Sequence, residues 1–177
     1  MQGRVVSVNA SQGGVPKRPI PRAWVTRLGL EADGHFEPEP IHGGLVGAVC
    51  IYTMESIERV RADGHTAFPG AYGENLTLEG VELGDLAPGD RLAVGDQGLA
   101  IEITKHAAPC QTQGHWFLDR RIARISPKTH PEDSRWYASV VSEGWVAPGD
   151  RVEIVRAAVA TPETDVEGEG PEDNAAA

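Results

Sequence analysis

One of only two cysteines in the 177-residue chain, Cys110, closes the run Ile103-Thr104-Lys105-His106-Ala107-Ala108-Pro109-Cys110-Gln111-Thr112. A thiol there invites nucleophilic or metal-ligand chemistry, because Lys105 and His106 lie close in sequence and a nearby cation favours the thiolate, the form that attacks electrophiles and binds soft metals. The preceding residues, Leu99-Ala100-Ile101-Glu102-Ile103-Thr104, alternate apolar and polar as a half-buried strand does. Pro109 cannot donate a ladder hydrogen bond, so the strand must end before Cys110 and pass it to a loop. Cys50 sits inside Ala48-Val49-Cys50-Ile51-Tyr52-Thr53 and reads as a small core hydrophobe.

Three further groups of residues could serve such a thiol. Gly29 to Gly44 (GLEADGHFEPEPIHGG) places Asp33, His35 and His42 in a proline-interrupted loop closed by Gly43-Gly44, where backbone N–H groups can approach an anion. These ligand types could hold zinc, but they lack the short pairwise spacings of structural zinc sites, so an anion is the better fit. In Gly70 to Gly80 (GAYGENLTLEG), Gly73-Glu74-Asn75 forms a turn into a strand, and the Asn75 amide can fix local backbone or read a heterocycle edge. Cations occur near the N-terminus (Lys17, Arg18, Arg22, Arg27) and again later (Arg120, Arg121, Arg124, Lys128, Arg135), and some of them could form a phosphate-binding wall.

The elements that must position these residues are short strands. Arg4 to Val8, Ala23 to Leu28, Gly47 to Tyr52, Asn75 to Leu78, Arg91 to Val94, Leu99 to Thr104, Tyr137 to Val141 and Arg151 to Val155 are rich in β-branched and aliphatic residues, mostly bounded by Gly, Pro, Asp or Asn. Irregular spacing and few helical patterns predict a mainly β fold, a barrel or closed sheet. Ala87-Pro88-Gly89-Asp90-Arg91 and Ala147-Pro148-Gly149-Asp150-Arg151 read as type II turns, each launching a strand. Thr53 caps an expected helix over Met54 to Asp63, stopped by Gly64. A second helix is expected over Trp116 to Ile125, with Phe117, Ile122 and Ile125 inward and its arginines wet or on an anion.

Length suits one domain, expected over residues 1–156, followed by an acidic tail over 157–177. The tail holds six of the 26 acidic residues, no basic ones and few large apolar side chains, so it is expected to stay disordered. A net charge of −10 argues against nucleic acid as partner, and no apolar run reaches the ~20 residues of a membrane span. Two distant cysteines give no disulfide framework, and no signal-peptide pattern opens the chain; a reducing cytoplasm is the expected setting.

Taken in order, NASQGGVPKRPI, GLEADGH, HGG, PGAYGENLTLEGV, LAPGDRLAVG, APCQ and WYASVVSEGWVAPGDRVEIV resemble the MOSC domain, named for the C-terminal part of molybdenum cofactor sulfurases. The resemblance spans about residues 1 to 156 and is most specific at GENLTLEG and at APC. It implies a MOSC-like β-barrel and a pocket for molybdenum cofactor, with Lys17, Asp33, His42, Gly43, Gly44, Glu74, Asn75 and Cys110 toward the cofactor. The cysteine matching Cys110 either ligates molybdenum or carries a persulfide sulfur in similar proteins. This sequence departs from the family after His42-Gly43-Gly44: where members commonly carry Asp-Arg, it has Leu45-Val46.

The leading expectation is a molybdenum-dependent oxidoreductase in which Cys110 ligates the metal, His106 and His42 supply protons, and an N-oxygenated small molecule such as a hydroxylamine is reduced. An external electron donor is required, because the chain carries no flavin or iron–sulfur motif. Alternatively, Cys110 works without metal as a thiolate or persulfide in sulfur transfer or carbon–sulfur chemistry, served by a sulfur donor protein. A third expectation is a non-catalytic carrier of the cofactor.

Overall fold

Short β-branched runs separated by glycine and proline turns give eleven strands in the computed structural model, which describes residues 2–34 and 43–157. They are β1 (Gln2–Ala10), β2 (Arg18–Ile20), β3 (Ala23–Thr26), β4 (Gly29–Leu30), β5 (Val49–Thr53), β6 (Leu76–Glu79), β7 (Arg91–Val94), β8 (Leu99–His106), β9 (Trp136–Ser142), β10 (Gly144–Val146) and β11 (Arg151–Val155). The main sheet runs β11-β7-β8-β9-β5-β6-β1, and β11 pairs back onto β1 to close a seven-stranded barrel, with β2 added outside on β1. Closure leaves the barrel no free edge. A small sheet, β10-β3-β4, stands apart from the ring. The expected mainly β barrel is therefore the observed fold.

Alternation fills the barrel. Leu99, Ile101 and Ile103 of β8, Leu92 and Val94 of β7, Ala138 and Val140 of β9 and Leu76 and Leu78 of β6 are buried in one apolar cluster, which Tyr52 and Ile57 join. Both proline-glycine turns form as expected. Gly89 (φ +91°) and Gly149 (φ +96°) take the positive φ, and the Asp90 and Asp150 carboxylates accept from the Ala87 and Ala147 N–H at 3.0 and 2.8 Å. The only parallel neighbours in the ring are β5 and β6, and a parallel pair needs a crossover. That crossover carries α1 (Met54–Ala62), whose Thr53 cap accepts from the Ser56 N–H and whose Ile57 and Val60 face the core.

The expected second α-helix over Trp116 to Ile125 does not form. Two 3₁₀ segments, Gln111–Trp116 and Ile122–Ile125, flank Arg120, which takes φ +57°, and a left-handed residue there cannot continue a helix. The inward positions still hold: Phe117 and Ile125 are buried and Ile122 packs against the core. The expected tail lies outside the described residues from position 158 onward. Among the described residues no helix is long and apolar enough to cross a membrane.

Candidate functional site: a thiol pocket at the barrel mouth

β8 delivers Cys110. The strand pairs with β9 as far as His106↔Trp136, after a register irregularity between Ile103 and Lys105. The Ala107 N–H adds one more bond, to the Arg135 carbonyl at 2.8 Å. Pairing then stops, and Pro109 turns the chain outward. The Cys110 N–H donates to Gln113 Oε1 (2.9 Å), and buried Gln113 donates from Nε2 to the Tyr72 carbonyl (2.5 Å), so an otherwise exposed loop is anchored to the barrel. The Cys110 side chain is half-buried. The Thr112 hydroxyl beside it holds its thiol below the ordinary 9.0, helped by the backbone N–H groups of Thr112 and Gln111 and by the Arg135 charge, while partial burial opposes.

Cys110 opens onto a cavity of about 280 Å³. Its lining includes Cys50, Tyr72, Asn75, Arg135, Tyr137 and Lys17, with Gly13, Gly14, Gly43, Gly47 and Gly73 among the backbone walls. Gly73 (φ +87°) is required there, since a Cβ would meet Val15 Cγ1 at 2.9 Å and stand 3.8 Å from Arg135 Nη1. Burial pushes the Tyr137 phenol up to about 12, so it stays a hydrogen-bond donor at neutral pH.

The floor is wired by buried polar groups. Lys17 pairs with the Asp33 carboxylate, which also accepts from the Ser11 N–H and Asn75 Nδ2, both at 2.9 Å. Asn75 Oδ1 in turn accepts from the Cys50 N–H at 3.0 Å. Arg135, buried, donates from Nη1 to the Tyr72 carbonyl (2.5 Å) and reaches Cys50 Sγ at 3.8 Å, and Nη2 donates to the Ala108 carbonyl at 3.2 Å. Its Nε has no partner among the described residues. A buried guanidinium nitrogen without an acceptor is a place for an anionic ligand oxygen.

The expected site residues divide accordingly. Cys110, Lys17, Asn75 and Gly43 line the cavity, and Asp33 holds Lys17 and Asn75 in place. Gly44 is adjacent to the lining without belonging to it. Glu74 stands behind the wall: fully buried, it accepts from the Gly70 N–H (2.6 Å) and the Thr77 hydroxyl (3.1 Å), and burial raises its carboxyl pKa. These bonds tie the turn together through Oε1, and Oε2 has no partner among the described residues. His106 does not line the cavity; its ring stacks on Trp136 at 3.6 Å and burial lowers its pKa, so this placement does not suit the expected proton donor. His35 and His42 lie outside the described residues.

Of the nine cations considered for a phosphate wall, only Lys17 and Arg135 reach the cavity. Arg124 instead binds Asp133 and Asp63, each at 2.6 Å. That pairing also occupies the one three-residue group of potential metal ligands among the described residues, His130-Glu132-Asp133. Arg135 was one arginine among many in the sequence, and only its burial singles it out. Cys50 is buried as expected, yet it also faces the cavity, a fact that the apolar run around it concealed.

The structure is a closed β-barrel with a hydrogen-bonded cysteine just past one strand end, lining a cavity that two buried cations also line. The chain belongs to the MOSC domain family, whose profile matches residues 38–153. Its fold is similar to the YuaD protein of Bacillus subtilis (TM-score 0.72, 16% identity, 87% of this chain and 96% of that one). It is also similar to YiiM of Geobacillus stearothermophilus (0.67, 23%, 87% and 75%) and YiiM of Escherichia coli (0.62, 23%, 89% and 71%). A search of curated proteins found no significant match.

Proposed function

We propose that this pocket binds a molybdenum cofactor with Cys110 as the protein ligand to the metal, and that the protein reduces N-oxygenated small molecules of the hydroxylamine type. The observation that carries the reading is the half-exposed Cys110 thiol, acidified by Thr112, opening on a cavity whose lining cations are the buried Lys17 and Arg135. The residues fit the group. A pyranopterin phosphate needs charge-assisted donors, and Arg135, a buried cation that lines the cavity, offers one. The glycine walls allow backbone to approach a flat ring system, and the cavity is near the lower bound of roughly 300–1,000 Å³ for small-molecule sites.

When bound, the cofactor supplies a two-electron metal centre for cleavage of an N–O bond. This chain's residues hold and tune it: Thr112 lowers the pKa of the Cys110 thiol, Tyr137 stays protonated and can donate a hydrogen bond, and Lys17 and Arg135 take the phosphate charge that Leu45-Val46 cannot. Reducing equivalents come from an external donor protein, in a reducing cytoplasm that keeps both thiols free. Residues 1–156 form the working domain and 157–177 an acidic appendage. The test is elemental analysis of protein purified from a host that makes the cofactor. Near-stoichiometric molybdenum that is lost in Cys110→Ser supports the reading; sparse molybdenum, with no hydroxylamine reduction after reconstitution, defeats it.

A second reading is favoured by one observation, the presence of both cysteines in one cavity. In it Cys110 carries a persulfide and no metal is involved.

A further inference from the structure

Cys50 is 4% exposed and sits in the middle of β5, where a cysteine ordinarily only packs. Four observations set it apart. It lines the same cavity as Cys110. One guanidinium joins the two, since Arg135 reaches Cys50 Sγ through Nη1 and holds through Nη2 the Ala108 carbonyl, two residues before Cys110. Arg135 is itself buried and lines the cavity, and its Nε has no partner among the described residues. The cross-strand partner of Cys50 is Tyr137, which lines the cavity with both cysteines.

We propose that Cys50 is a second sulfur-handling residue of this pocket, accepting the sulfane sulfur that Cys110 collects at the mouth and storing it in the barrel wall, where exposure is only 4%. This rests on the persulfide reading above. The step is redox-neutral. The Cys50 thiol releases its proton to water in the cavity and its sulfur attacks the outer sulfur of the Cys110 persulfide. A Cys50–sulfane bond forms and the Cys110–sulfane bond breaks. The electron pair leaves on Cys110 Sγ, giving Cys50–S–SH, Cys110 thiolate and one proton. Arg135 stands beside the attacking sulfur, and Thr112 beside the leaving one.

Direction follows from the two environments. Cys110 is half-exposed on the loop beyond the end of β8, whereas Cys50 is 4% exposed within β5, and both line the one cavity. A donor from solvent therefore meets Cys110 first, and a sulfane sulfur passed to Cys50 is shielded from further exchange with solutes. Sulfur therefore moves inward, from Cys110 to Cys50. The persulfide also extends the reach of Cys110 by one S–S bond, about 2 Å, so the two Sγ atoms need not touch.

The experiment gives the reduced full chain a limiting amount of inorganic polysulfide, quenches with an alkylating agent at successive times, and reads the added sulfur on each cysteine peptide by mass spectrometry. The expected result is label on Cys110 first, then on Cys50 as Cys110 loses it. In Cys110→Ser, labelling of Cys50 slows at least about tenfold, because polysulfide must then enter the wall directly. In Cys50→Ser and Cys50→Ala, label reaches Cys110 and stays. Label that remains on Cys110 in the native chain overturns the proposal, as does equally fast labelling of Cys50 in Cys110→Ser. No sulfur on either cysteine overturns the persulfide reading itself, and the relay with it.

Discussion

The floor and the lip of the pocket are built on opposite terms. On the floor, Lys17, Asn75, Arg135 and Cys50 are buried, the Asp33 side chain is 2% exposed, and all are bonded to one another or to the barrel backbone, so their positions are set by the fold. At the lip, Cys110 and Thr112 sit on a 3₁₀ turn whose attachment runs through Gln113. The same element, sulfur, is held basic on the floor and acidic at the lip. Floor residues should therefore cost stability when changed, and lip residues should cost reactivity alone.

The sharpest challenge to that division is Lys17→Met. It leaves the Asp33 carboxylate, 2% exposed, with neutral donors only. Removing one partner of a buried ion pair costs about 3–5 kcal/mol. A large fall in the urea midpoint is expected, and Lys17→Met with Asp33→Asn should recover much of it. A single variant as stable as the native chain would show that the floor is not wired as described. Next comes Arg135→Gln, which strips the Ala108 carbonyl and Cys50 Sγ of their donor while Gln113 still serves the Tyr72 carbonyl. The expected loss is about 2–3 kcal/mol by the same measurement.

The lip was the more legible region in the sequence. Alternation along Leu99 to Thr104, followed by Pro109, was enough to place Cys110 beyond a strand end, and the two proline-glycine turns and the Thr53 cap were equally local signals. The floor depends on pairings across the ring. Asp33 meets Lys17 and Asn75 from three separate segments, and nothing near Arg135 in sequence marks it for the cavity while Arg124 binds buried Asp133 elsewhere. The failed helix belongs with the floor: the apolar spacing of Phe117, Ile122 and Ile125 fits a helix, but the core is reached by two 3₁₀ turns broken at Arg120. Spacing named the inward residues and missed the backbone path.

Thr112→Val examines the lip. It removes the hydroxyl that does most to acidify Cys110, so the pH midpoint of Cys110 alkylation should rise toward the ordinary 9.0. At neutral pH less thiolate is then present, and the rate should fall roughly 2–5-fold. Stability should change by less than about 0.5 kcal/mol, since Thr112 is exposed. Cys50→Ser serves as the internal standard, because the midpoint should then be read from Cys110 alone. An unmoved midpoint would mean that backbone N–H groups suffice to hold the thiolate.

The smallest effect is expected at His106, between the two regions. Its ring lies on Trp136 with Nδ1 buried and unpartnered, and burial lowers its pKa from the ordinary 6.5. The sign follows: as pH falls below 6.5 the unfolded chain takes up the proton before the folded one does, so the ring's contribution to stability is full above 6.5 and is lost on acidification toward the folded value. The ring is partly solvated, so this contribution is below about 1 kcal/mol. His106→Phe keeps an aromatic ring against Trp136 and removes the titration. Urea midpoints for the two proteins should therefore agree above pH 6.5 and diverge below it, with the native chain the less stable. Matching acid-side slopes would mean that the histidine is hydrated in the folded state and that the boundary of the dry wall lies closer to the barrel axis.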